Sequence, residues 1–151
     1  MPTQPTTIIV CSHLNQEQLT AVQARFPDAI HYLSMATPEQ ALTKLGLGWR
    51  LRQIGARGDI AIVGHIGCSG WLKFCRRSKR RPSDAQLAEY QRRGLNLALI
   101  VVAQRLKWRR EEPSMWAYRL GTDNCVHLVG TRSPGSRRPD SSLSGRRVPS
   151  Y

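Results

Sequence analysis

Apolar residues in this chain form two textures: short unbroken β-branched runs, and longer stretches in which Leu, Val and Phe recur every three or four positions. The first predicts strands buried on both faces, and the second predicts helices lying over them. Thr7 to Cys11 holds Ile8, Ile9 and Val10 in succession and reads as a buried strand. Asn15, with Gln18 three residues on, is a capping-box signature for a helix through Leu19, Val22 and Phe26 that Pro27 stops. Ala29 to Leu33 reads as a second strand. Thr37-Pro38-Glu39-Gln40 then offers a hydroxyl cap, a proline at the first helical position and a glutamine at the third. A second helix is therefore expected from Thr37 through Ala41, Leu42 and Leu45 to Ile54, with Gly46 and Gly48 weakening its middle.

Asp59 to Gly64 carries Ile60-Ala61-Ile62-Val63, apolar on both faces as a central parallel strand requires. A basic loop follows. Ser83 with Gln86 caps a long helix through Leu87, Leu95, Leu99, Val102 and Leu106, with Pro113 in the loop beyond its end. Met115 to Leu120 alternates as a strand, Gly121 to Asn124 is a turn, and Cys125 to Val129 returns as the last strand of a hairpin. Alternating strands and helices predict an α/β fold, a parallel sheet with helices on both faces, closed by the antiparallel terminal strand. With strand order 2-1-3-4, the chain reverses between strands one and three, and the crevice at their carboxyl ends is the expected ligand site. One domain is expected over residues 1–130, and the Pro, Ser, Gly and Arg content of residues 131–151 predicts a disordered tail.

Composition changes this picture in two ways. The net charge is +13 with a pI near 10.8, and its distribution is uneven. Lys73, Arg76, Arg77, Lys79, Arg80 and Arg81 stand together without an acidic residue, and the tail holds five arginines against Asp140. Such segments attract polyanions, so nucleic acid or another acidic partner is one expectation, and solvated loops are the other. Met1 to Thr7 has neither a charged leader nor an apolar stretch, which makes a reducing cytoplasm the expected compartment. The four cysteines are then thiols or ligands. The apolar run Leu97 to Ala103 falls far short of the roughly 20 residues a membrane span needs, so no membrane partner is expected.

The chemistry concentrates at two strand ends. Cys11 ends the first strand and Gly64-His65-Ile66-Gly67-Cys68 follows the third. If those strands are neighbours, two thiolates and an imidazole meet at one sheet edge, a donor set that zinc favours. Cys75 and Cys125 read as small hydrophobes and His31 and His127 as ordinary imidazoles, although His127 near Cys125 offers an alternative metal pair. The glycine-rich Gly64 to Gly70 lacks the Lys-Ser/Thr ending of a phosphate loop and the spacing of a nucleophile elbow.

A cysteine ending the first strand, with Gly64-His65-Ile66-Gly67-Cys68-Ser69-Gly70 ending the third and Trp116-Ala117-Tyr118-Arg119-Leu120-Gly121-Thr122 on the penultimate strand, resembles the β-class carbonic anhydrases. The resemblance spans roughly Thr7 to Gly130. It implies zinc on Cys11, His65 and Cys68, with water in the fourth position and reversible hydration of carbon dioxide to bicarbonate, a lyase reaction. The first motif departs from the family's Cys-x-Asp-x-Arg: His13 stands in the place of the Asp and Asn15 in that of the Arg.

His13 therefore has two readings, as a base or proton shuttle near neutral pH or as a fourth zinc ligand that closes the site to water. The corresponding functions are a small zinc enzyme and a catalytically inactive, zinc-stabilised binding protein. In the second, Trp71, Phe74 and the basic loop would face nucleic acid or an acidic partner. The chain begins directly at its first strand, whereas that family generally has preceding helices that wrap a partner subunit, so the expectation of a homodimer is weakened.

Overall fold

A computed structural model describes residues 4–76 and 82–135. In chain order its elements are β1 (Pro5–Cys11), α1 (Gln16–Arg25), β2 (His31–Met35), a 3₁₀ helix (Pro38–Thr43), α2 (Leu47–Gln53), β3 (Asp59–His65), α3 (Ser69–Cys75), α4 (Asp84–Arg105), β4 (Met115–Leu120) and β5 (Val126–Arg132). The strands form one sheet in the order β2-β1-β3-β4-β5. Every pairing is parallel except that of β4 with β5. The α/β class, the strand order and the closing hairpin are those expected from the sequence.

Alternation along the central strands divides the core. Ile8 and Val10 of β1 and Ala61 and Val63 of β3 pack with Val22 and Phe26 of α1 on one face. Ile9, Ile60 and Ile62 pack on the other face with Leu51 of α2 and Leu95, Leu99 and Val102 of α4. A period of two in the strands thus meets a period of 3.6 in the helices, and both sheet faces are covered. Both capping boxes form as read: the Asn15 side chain accepts from the Gln18 amide while the Gln18 side chain accepts from the Asn15 amide, and Ser83 and Gln86 repeat the exchange.

The second helix differs from expectation. It is broken into the 3₁₀ helix and α2, because Gly46 sits at φ 78° in the left-handed region and starts a new helix there. Thr37 does not cap it: its φ is 50° and its hydroxyl makes no bond to the helix. β2 begins two residues later than predicted, since its place is set by pairing with β1 from Thr7↔His31 to Cys11↔Met35. The segment after Cys68 contains a helix, α3, where a loop was expected, so Lys73 lies on that helix and Arg76 at its end. Arg77, Lys79, Arg80 and Arg81 lie outside the described residues. β5 runs to Arg132, pairing Thr131 with Trp116 and Arg132 with Met115, past the predicted boundary at Gly130. The rest of the predicted tail, residues 136–151, lies outside the described residues. No helix among the described residues is long and apolar enough to cross a membrane.

Alternate faces of α4 should respond differently to truncation. Leu99 is fully buried against β1 and β3, whereas Leu97 is about half exposed. Leu99→Ala is expected to cost about 2–5 kcal/mol in urea unfolding, and Leu97→Ala to stay within about 0.5 kcal/mol of wild type. Equal losses at both positions would contradict this packing.

Candidate metal centre

β1 and β3 are hydrogen-bonded neighbours, with Val10 opposite Val63. Their carboxyl ends therefore lie side by side, and the turn after His65 carries Cys68 back toward Cys11. Gly67 makes this turn at φ 78°, a left-handed conformation that glycine adopts without steric cost. The two sulfurs are 3.7 Å apart and buried. His13 reaches in from the loop after β1, its Nδ1 3.5 Å from the Cys11 sulfur and 3.6 Å from that of Cys68. Among the described residues, Cys11, His13 and Cys68 are the group whose donor atoms converge.

These three separations fit a tetrahedral metal. Zinc bonds of about 2.3 Å to sulfur and about 2.0–2.1 Å to nitrogen give tetrahedron edges of about 3.8 Å between sulfurs and about 3.5 Å between sulfur and nitrogen. The observed edges of 3.7, 3.5 and 3.6 Å lie within about 0.1 Å of those values. His65 is placed differently. It is buried beside the cluster, where its ring helps lower the Cys68 thiol, and neither ring nitrogen makes a well-formed hydrogen bond. An orphaned buried imidazole loses hydration without compensation, which suits a side chain whose partner is a ligand to be bound. The two thiols and the His13 imidazole thus fit zinc in type and in spacing, while the His65 ring nitrogens lie outside that group of converging donors.

The thiols sit in a cage of donors. The His13 amide points at the Cys11 sulfur at 3.5 Å, and the Thr37 amide lowers the same thiol. The Thr37 hydroxyl lies 4.0 Å from the Cys68 sulfur, and the nearby Trp71 amide lowers the Cys68 thiol. As a pair the two thiols share a proton. The bond from Cys11 holds Cys68 well below the ordinary thiol range, helped by His65 and His13 and opposed by burial. Cys11 is pushed up by that same bond and by burial. Trp71 covers the pair together with Cys75, and Leu14 and Leu87 pack against them.

Trp71 is thus buried, its ring stacked on Phe74 at 5.2 Å between centroids, and only Phe74 offers an exposed aromatic face on α3. Cys125 is exposed and His127 lies 3.4 Å from the Asp123 carboxylate, outside the cluster. Asn15 is engaged as the cap of α1.

Three residues around the site escape a reading by sequence motif. Thr37 reads as a helix cap, and its left-handed backbone is invisible in the sequence. Glu39 reads as first-turn helix decoration, yet it is buried, with Oε1 unpartnered and Oε2 accepting from the Gln91 amide. Gln91, which also donates to the His65 carbonyl at 3.0 Å, did leave a signal. It interrupts the apolar stripe Leu87, Leu95, Leu99 of α4 at an i+4 position, where a polar side chain needs an internal partner.

No protein-family model matches the sequence, and no curated protein matches it. Among solved structures the chain is similar to the β-carbonic anhydrase CafD of the filamentous fungus Aspergillus fumigatus. The wild-type enzyme has 17% identity and a TM-score of 0.50, covering 85% of this chain and 90% of that one. A single-substitution mutant of the same enzyme gives 15% identity, a TM-score of 0.50 and the same coverage. The protein therefore has a β-carbonic-anhydrase-like α/β fold, and at such identity the likeness extends to the fold alone.

Burial is the chief cause that raises the Glu39 carboxyl above the ordinary range, partly offset by the Gln91 amide. A carboxyl raised on folding supports the fold below its unfolded value of about 4.3 and loses that contribution as pH climbs through the folded value. Glu39→Gln is expected to melt with wild type at about pH 4 and to exceed it increasingly toward neutral and alkaline pH. A variant less stable than wild type at alkaline pH would instead make the ionised carboxylate a stabilising group.

Proposed function

We propose that this is a zinc-binding protein of the β-carbonic-anhydrase type in which Cys11, His13, Cys68 and His65 together hold the metal and leave little room for water. The observation that carries the reading is the set of three near-tetrahedral edges among Cys11, His13 and Cys68. His13 occupies the place of the acid in the resembling motif, so the residue that would orient a nucleophile is here a donor to the metal. His65 supplies the further donor, its two ring nitrogens being without other partners. Two cysteines and two histidines form a closed structural set.

Zinc bound there supplies Lewis acidity. The residues around it bear mainly on holding it: the backbone amides of His13, Thr37 and Trp71 neutralise thiolate charge, and Trp71, Leu14 and Leu87 exclude solvent. His13, exposed on the outer side of the thiols, is the one donor that solvent can reach directly. Carbon dioxide hydration is accordingly a latent activity, gated by whether His13 leaves the metal.

Lys73 and Arg76 stand beside exposed Phe74, which keeps an acidic partner compatible with this surface, but burial of Trp71 removes the aromatic pair that would stack on bases.

Protein purified without added metal is expected to hold about one zinc per chain by elemental analysis, a content lost in Cys68→Ser. Unchanged stoichiometry in that variant would overturn the ligand assignment. In stopped-flow hydration, wild type is expected to be feeble and His13→Asp faster, because the change frees a coordination position beside a carboxylate. Asn15→Arg is best added second, since losing the cap costs about 1 kcal/mol. Vigorous wild-type hydration that collapses in His13→Ala would make His13 a base or shuttle and the site an open one.

A further inference from the structure

Thr37 is a β-branched residue held at φ 50° and ψ 74°, the left-handed region where its Cβ crowds the backbone. Helix formation does not require this, since no side-chain cap bond results. Threonine is nevertheless 97% buried there, between the end of β2 and the thiols. Backbone strain of this kind persists only where surrounding contacts over-determine it, and it gathers at functional sites. The contact here is specific: the hydroxyl lies 4.0 Å from the Cys68 sulfur, and the amide of the same residue helps lower the Cys11 thiol. One residue therefore bears on both thiols, its hydroxyl lying directly against Cys68.

Gly70 completes the arrangement. A Cβ on Gly70 would collide with the Thr37 hydroxyl and come within 3.1 Å of the His13 ring carbon Cε1. The absence of a side chain at Gly70 is what lets the hydroxyl and the imidazole approach the sulfurs together.

Resting on the zinc reading above, we propose that Thr37 is a positioning residue for the metal centre: its strained backbone aims its hydroxyl at the Cys68 sulfur and so fixes the spacing of the two thiols for the metal. Gly70 is the space that the device needs. Outer-shell partners of this sort tune metal affinity by about 10–100-fold. The strain is retained because it sets the thiols, so metal affinity and metal-free stability pull in opposite directions at this residue. A residue with a merely structural role would move both the same way.

The experiment measures zinc affinity by chelator competition and metal-free melting temperature on the full chain and four variants. Thr37→Val keeps the β-branch and removes the hydroxyl, and is expected to weaken zinc by about tenfold. Thr37→Ser restores the hydroxyl and should bind like wild type. Thr37→Gly releases the strain and should melt higher than wild type without metal while binding zinc more weakly. Gly70→Ala displaces the hydroxyl without altering Thr37 and should match Thr37→Val in affinity. Wild-type affinity in Thr37→Val, or a metal-free Thr37→Gly that melts lower than wild type, would overturn the proposal while leaving the zinc reading intact. Wild-type protein that binds zinc no better than Cys68→Ser would overturn both.

Discussion

Parallel pairing of β1 with β3 is the constraint on which the rest depends. The register that sets Val10 opposite Val63 also brings together two chain segments more than fifty residues apart at their carboxyl ends. Cys11 needs only to be the last residue of its strand, and Cys68 needs only the Gly67 turn, for their sulfurs to meet at 3.7 Å. Moving either strand by one residue would send Cys11 or His65 to the opposite face of the sheet, because side chains alternate with a period of two. Burial of both faces by α1 and by α2 with α4 prevents such a slip, since each strand would expose its isoleucines. The apolar core and the candidate metal centre are therefore consequences of one register.

That register explains which features were legible in the sequence. β1, β3 and β4 declare themselves by unbroken or alternating apolar runs, and the caps at Asn15 and Ser83 are local motifs whose partners sit three residues away. The strand order follows from topology rules, and with it the meeting of Cys11 and Cys68. Features that depend on backbone conformation or on distant partners were hidden. Thr37 shows the local pattern of a helix cap, and its left-handed backbone leaves no mark in that pattern. Glu39 and Gln91 form a buried pair across 52 residues, which no periodicity reveals apart from the polar interruption in the stripe of α4. α3 is only seven residues long, and basic residues within it and after it disguise it as a loop.

The candidate site was read in part. Cys11 and Cys68 are where topology puts them, and His13, read from the sequence as a possible fourth ligand, stands beside both sulfurs, whereas the His65 nitrogens lie outside that group. His13 lies two residues beyond Cys11, close enough for its amide and ring both to face that sulfur. His65, on the last position of β3, is held by burial instead, its carbonyl tied to Gln91 and its ring left without partners. On the zinc reading proposed above, a site that adds His13 as a ligand and lacks the acid–arginine pair shifts from activating a ligand toward holding a metal. Conformational strain at Thr37 and the orphaned polar atoms of Glu39, His65 and Trp71 are where local rules are broken, and they surround the same two thiols.

The proposed site has four donors, two sulfurs and two imidazole nitrogens. X-ray absorption at the zinc edge, recorded on protein as purified, tests it most directly. Two sulfur neighbours at about 2.3 Å and two nitrogen neighbours at about 2.0–2.1 Å are expected, with imidazole outer-shell scattering from both rings. A spectrum requiring a water oxygen in place of one imidazole, or a single sulfur, would contradict it.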